Sequence, residues 1–219
     1  MKNETINDIS ITDSFEKEIF NKTFDLSVNY SEIALDLIST SEIIKEIPWV
    51  KTLASFYNIS SSINARYNMK KNLVFLQEFH SHKIDEEKLR DFKEKLYQDN
   101  KYRNEIIEIT LVLIEKFIDI EKAKILANLL KAHIEADLTW EDYRKISFAL
   151  NHLNPSGYIF LIQSFNKEMK KTMIQSMEGE AFLLACGIGR IFEEQLKITP
   201  TGKKLYEFGL KPLKEIYCT

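Results

Sequence analysis

Glycine and proline are scarce in this chain, six and four among 219 residues. So short a supply of turn residues leaves little room for a sandwich or barrel of many short strands. Cysteine is scarcer still. With two, Cys186 in an apolar stretch and Cys218 next to the last residue, a disulfide framework is excluded, and Cys186 reads as a small core residue. No run of about 18 uncharged apolar residues occurs, so no membrane span is expected. The N-terminus, with Asn3, Glu4, Asn7 and Asp8, lacks the basic start and apolar run of a signal peptide, and the protein is read as cytoplasmic. A net charge of -3 gives no global attraction to nucleic acid, so any anionic partner would have to be drawn by a local patch.

What is present is 3.6-residue periodicity through most of the chain, which predicts a mainly α protein, a multi-helix bundle. Ile106, Ile107, Ile109, Leu111, Val112, Leu113, Ile114, Phe117 and Ile118 surround one helix with apolar side chains, the pattern of a central buried hub. After Asp119, an N-cap, Leu126, Leu129, Leu130, His133 and Ile134 form a stripe with Lys122, Lys124, Lys131 and Glu135 opposite, as on an amphipathic helix lying against that hub. Thr139 and Asp142 form a capping box for a third helix, carrying Trp140, Tyr143, Ile146 and Leu150 and stopped at Asn154-Pro155.

Ahead of these the chain changes sign. Residues 1–47 carry Glu4, Asp8, Asp13, Glu16, Glu18, Asp25, Glu32, Asp36, Glu42 and Glu46 against Lys2, Lys17, Lys22 and Lys45. This is read as an acidic arm whose first residues, to about Ser14, are a mobile tail. From Pro48, a good first residue of a helix, apolar positions continue at helical spacing to Phe79, predicting one helix roughly 45 to 50 Å long, bent where Ser60, Ser61 and Ser62 interrupt it. From Pro48 through Lys71 it carries Lys51, Arg66, Lys70 and Lys71 and no carboxylate. With Trp49, Phe56, Tyr57 and Tyr67 beside them, these cations are a candidate contact for an anionic surface, and the arm a candidate mask over it. His80 and His82, two apart, would diverge on a helix and suit a metal poorly. Asp85 caps a further helix to about Gln98. The organisation read from these signals is an arm over 1–47, a bundle over 48–165 and a small module over 166–219.

In that last module Ala181 to Cys186 reads as a short helix broken at Gly187 and Gly189. Ile191-Phe192 and Leu196-Ile198 flank Glu193, Glu194 and Gln195 as two short strands and a turn, and Thr199-Pro200-Thr201-Gly202 opens a closing helix. The run Ile-Thr-Pro-Thr-Gly-Lys-Lys-Leu-Tyr resembles the wing and closing helix of bacterial winged-helix domains over about 25 residues. That resemblance implies a winged-helix-like module with Arg190, Lys197, Lys203 and Lys204 as its contact residues. DNA reading is disfavoured by the acidic turn, which phosphates repel, and by a preceding helix with no base-reading side chain. The Ile-Pro-Trp-Val-Lys start at Ile47, the Lys70-Lys71 and Phe75-Leu76 run and the Glu121-Lys122-Ala123-Lys124 turn look like an uncharacterised group of small bacterial helical proteins. That resemblance implies no activity and a host-virus or mobile-element setting.

No catalytic set, phosphate loop or metal-ligand spacing is found, so no enzyme activity and no cofactor are expected. The expected function is protein-protein interaction or regulation. The alternatives are a membrane-surface role for 48–71 and DNA binding by the C-terminal module.

Overall fold

A computed structural model describes residues 10–56, 62–165 and 177–213. It is mainly helical, with twelve α-helices and one two-stranded sheet among the described residues. The contacts gather residues up to His82 with Lys95–Glu115 into one unit, and Lys83–Glu94 with Lys116 onward into another. This grouping follows contacts, whereas the divisions at Pro48 and Asn166 follow charge and composition.

The first unit begins with α1 (Ile11–Ile19), capped by the Ser10 hydroxyl, which accepts from the Asp13 amide. Residues 10–14, expected to be tail, are thus a helix start, and Ser14 and Phe15 are already buried. Next come α2 (Leu35–Thr40) and α3 (Glu42–Glu46), split at Ser41, which ends one and caps the other. Ile38 and Ile44 are buried, while Leu37 and Ile43 face solvent.

The single long helix expected from Pro48 to Phe79 is two. α4 (Pro48–Phe56) and α5 (Ile63–Ser81) are separate elements, because Ser62 is in extended geometry and its hydroxyl accepts from the Ala65 amide. A serine in this run caps a helix instead of bending one; Ser60 and Ser61 lie outside the described residues. α5 buries Met69, Leu73, Val74, Phe75, Leu76 and Phe79, and Phe15 wedges between Trp49 and Phe75 at ring-centroid distances of 5.3 and 5.6 Å.

The acidic segment is anchored among the described residues. Gln77 clamps it, donating to Val28 O at 2.6 Å and accepting from the Tyr30 amide at 3.2 Å, and Arg103 holds both Asp13 and Glu16 at 2.5 Å. Arg103 belongs to α7 (Asn100–Lys116), the helix expected to be the hub. Ile106, Ile107, Leu113 and Ile114 are buried but Val112 is 45% exposed, so α7 is amphipathic; Ile118, expected on the same helix, lies beyond its end and is 88% exposed. The division between units falls within α6 (Glu86–Gln98), whose first turn is capped by Asp85.

In the second unit the buried helix is α8 (Glu121–Ile134), where Ala123, Ile125, Leu126, Ala127 and Leu129 are fully enclosed. Lys122 and Lys131, expected on a solvent face, are 7% and 8% exposed. Lys122 reaches Asn151 O at 3.0 Å; a long stem lets lysine lie among apolar groups while its ammonium finds a carbonyl. α9 (Trp140–His152) packs on α8 and has the expected capping box. α10 (Pro155–Phe165) and α11 (Met177–Ala185) cross closely at Gly157, where an added Cβ would lie 3.1 Å from Phe182 Cβ.

Beyond Gly187, in left-handed geometry at φ +70°, β1 (Gly189–Phe192) and β2 (Gln195–Ile198) form an antiparallel hairpin. α12 (Pro200–Lys204) then leads into a π-helical turn, Leu205–Leu210, whose Gly209 lets the backbone approach Ile125 and Leu129 of α8.

Candidate functional site

The hairpin is built tightly. Its two-residue turn, Glu193-Glu194, has φ of 51° and 60°, the left-handed pair that matches the twist of flanking strands. Thr199 fixes its exit. The threonine amide donates to Ile188 O at 2.9 Å, its hydroxyl to Gly187 O at 3.1 Å, and the same hydroxyl accepts from the Gly202 amide, capping α12.

Register pairs Arg190 with Lys197 and Phe192 with Gln195. Two cations therefore stand directly opposite each other, an arrangement that costs hairpin stability. Both line an open groove of about 460 Å³ with Lys203 of α12, over a floor that includes Phe165, Phe192, Leu196 and Ile198. None of the side chains lining it is a carboxylate. Phe165 is fixed by stacking on Tyr206, centroids 4.0 Å apart and planes 5° apart. Arg190 leans over the Phe192 ring at 5.9 Å, and Lys197 donates to Gln195 at 3.2 Å, a neutral partner that leaves its charge uncompensated.

Three of the four residues expected to serve the module thus meet in one place. The fourth, Lys204, points elsewhere and pairs with Asp142 at 2.7 Å. The groove's apolar floor was not read from the sequence. Leu196 and Phe192 carry an alternation signal, whereas Phe165 lies at the end of a different helix and nothing local marks it as a neighbour of the hairpin.

Each member of the other expected set has a partner within its own unit. Lys51 pairs with Glu46 at 2.7 Å, Arg66 with Asp36 at 2.5 Å, and Lys70 donates to Ile33 O at 2.7 Å. Lys71 is 1% exposed and donates to Glu115 O at 2.6 Å; burial pushes its ammonium down to about 8 against the favourable field of Glu115. Of the aromatic candidates for a membrane contact, Trp49 is fully buried and Phe56 is 54% exposed.

His80 and His82 also part ways: His80 contacts Glu18 O at 2.9 Å and stacks on Phe24, whereas His82 bonds Ser81. His133 is hydrogen-bonded to Leu138 O at 2.8 Å within an aromatic cluster with Trp140 and Tyr143. Cys186, expected to be a core residue, is half-buried, with its thiol raised by burial and drawn back by the nearby Lys122.

Among the described residues no group of three or more potential ligands could hold a metal ion, and no helix is long and apolar enough to cross a membrane. No family model, curated protein or solved structure matches the chain.

Proposed function

We propose that this is a non-enzymatic cytoplasmic interaction protein whose winged-helix-like C-terminal module docks an acidic segment of a partner protein. The observation that carries the reading is the cross-strand pair Arg190 and Lys197, joined by Lys203 around an apolar floor. Like charges held opposite each other weaken the hairpin, and an anionic partner removes that cost. The aromatic and aliphatic floor supplies the apolar contact from which a docking site draws most of its affinity. A segment with one or two carboxylates flanking an aromatic or aliphatic anchor fits both features.

Nucleic acid is the second reading of the same cations. Against it stand the exposed Glu193 and Glu194 at the hairpin tip and the Glu178 and Glu180 of α11. A phosphate backbone following the hairpin would meet the two carboxylates at its tip, each opposing such binding, and the helix before the hairpin adds negative charge to the module. The membrane-surface reading of 48–71 draws less support, because its cations are engaged within their own unit and Trp49 is buried.

The test is photocrosslinking from a benzoylphenylalanine placed at Phe192 in the full chain, carried out in native extract. The reading expects one discrete protein adduct, lost in the Arg190→Glu/Lys197→Glu variant and competed by a synthetic acidic peptide bearing a tryptophan. Adducts to nucleic acid, or a protein adduct indifferent to charge reversal, would overturn it. Retardation of a DNA duplex at about 50 mM salt, with a slope that falls by roughly one per cation removed, would favour the second reading. Sedimentation of the full chain with anionic vesicles would revive the third.

A further inference from the structure

The charges of the hairpin are segregated along its length. Arg190 and Lys197 face each other toward its base, Glu193 and Glu194 form its tip, and Ile191 and Phe192, 54% and 52% exposed, lie between. Both ends break a local rule. The base sets two cations opposite each other, and the tip puts two long side chains in left-handed geometry that favours asparagine and glycine. Departures of this kind belong where a surface serves a function outside its own fold. Within the fold they go uncompensated: among the described residues, none of these four charges is in an ion pair, and no carboxylate lines the groove.

A second copy of the chain supplies what each end lacks. If two hairpins lie antiparallel about a two-fold axis near Phe192, each acidic tip meets the other's cationic base. Base and tip are three residues apart, roughly 10 Å of strand, and the spacing is identical in both copies, so the two ends pair at once. The exposed Ile191 and Phe192 of one copy then cover the apolar floor of the other, Phe165, Leu196 and Ile198. The hairpin thus carries both the site and a segment of the chemistry that the site selects, carboxylates beside an aromatic and an aliphatic anchor.

We propose that the groove takes residues 191–194 of a second copy of this chain, in a reciprocal two-fold pair. This rests on the reading of the groove as an acidic-segment site and names the segment.

Sedimentation velocity of the full chain, over about 10 to 500 µM protein and at about 50 mM salt, is expected to show a monomer–dimer equilibrium that weakens at least about tenfold in about 500 mM salt. Arg190→Glu/Lys197→Glu and Glu193→Lys/Glu194→Lys are each expected to weaken it by at least about tenfold as well. Mixed in equal amounts, these two variants recover a dimer, because the tip of each then matches the groove of the other. Glu178→Lys/Glu180→Lys, the same charge change on α11, leaves the equilibrium as it is. Should a reversal not fold, the salt dependence of the unmodified chain and its dissociation by the tryptophan-bearing acidic peptide still decide. A chain monomeric throughout, a dimer indifferent to both reversals, or a mixture as weakly associated as its components overturns the proposal. A monomer that nonetheless binds the acidic peptide removes the second copy as occupant and leaves the docking reading standing; a monomer that ignores the peptide overturns both.

Discussion

Lys204 Nζ lies 2.7 Å from Asp142 Oδ2, and the same carboxylate oxygen accepts from both the amide and the hydroxyl of Thr139. One side chain therefore completes the capping box of α9 and ties α12 to it. The Asp142 carboxyl is held below its usual range, first by Lys204 and then by Thr139. Its contribution is complete above the ordinary aspartate range and is lost as pH falls through the depressed value. Asp142→Ala is expected to cost about 1–2 kcal/mol, most of it from the lost cap, and Lys204→Met less than about 1 kcal/mol because the pair is partly solvated. A double-mutant cycle by urea denaturation at neutral pH measures the coupling, which should vanish once Asp142 is protonated.

Lys71 gives the opposite pH dependence. Its ammonium is down at about 8 in the folded chain and near the ordinary lysine value when unfolded, so between these the unfolded state binds more protons and stability rises with pH. From about pH 8 to pH 10 the gain is on the order of 1–2 kcal/mol. Above that, Tyr30 acts in reverse, because burial raises its hydroxyl to about 12 and ionisation favours unfolding. Lys71→Met should flatten the rise, measured as the difference between the two urea midpoints across this range. An identical pH profile for both proteins would contradict the burial of Lys71.

The hairpin turn offers a gain. Glu193 and Glu194 both adopt left-handed geometry, which suits asparagine and glycine far better than a long side chain. Glu193→Asn with Glu194→Gly is expected to stabilise the second unit by about 0.5–1 kcal/mol. It also removes two negative charges from the tip. If the docking reading holds, affinity for an acidic segment rises as repulsion falls; thermal unfolding and peptide titration separate the two effects.

Gly202 is expected to tolerate nothing larger. A Cβ there would lie 2.4 Å from Ile188 O and 2.8 Å from Ile198 Cγ2, and the first of these is backbone that cannot rotate away. Gly202→Ala should cost more than about 2 kcal/mol and raise amide exchange at Thr199 and along β2 before it affects α8. A loss spread evenly over the unit would argue against so local an effect.

The parts of this fold legible in sequence are those set by neighbours in the chain. The capping box at Thr139 and Asp142, the Asp85 cap, the stop at Pro155 and the hairpin with its turn all depend on residues within ten positions of one another. What was misread depends on distant partners. Val112 and Ile118 look like core by composition but are largely exposed, while Lys122 and Lys131 look like surface until Asn151 and the stems' apolar surroundings are placed beside them. The candidate site divided the same way. Arg190 and Lys197 were identifiable because strand alternation sets them, whereas Phe165 and the loss of Lys204 to Asp142 come from packing that no periodicity encodes.

The interleaving of the two units along the chain sets an order of events during synthesis. Residues 83–94 leave the ribosome before Lys95–Glu115, yet the contacts they join belong to the later unit. Phe92, 7% exposed in the finished protein, meets His133 at 6.2 Å, a residue made some forty positions afterward. While the first unit completes itself at Glu115, this short amphipathic stretch must wait, its apolar side uncovered, until α8 and α9 have been translated. The stage at which a chaperone has most to shield is therefore a nascent chain whose residues up to Glu115 have left the exit tunnel while α8 is still inside it.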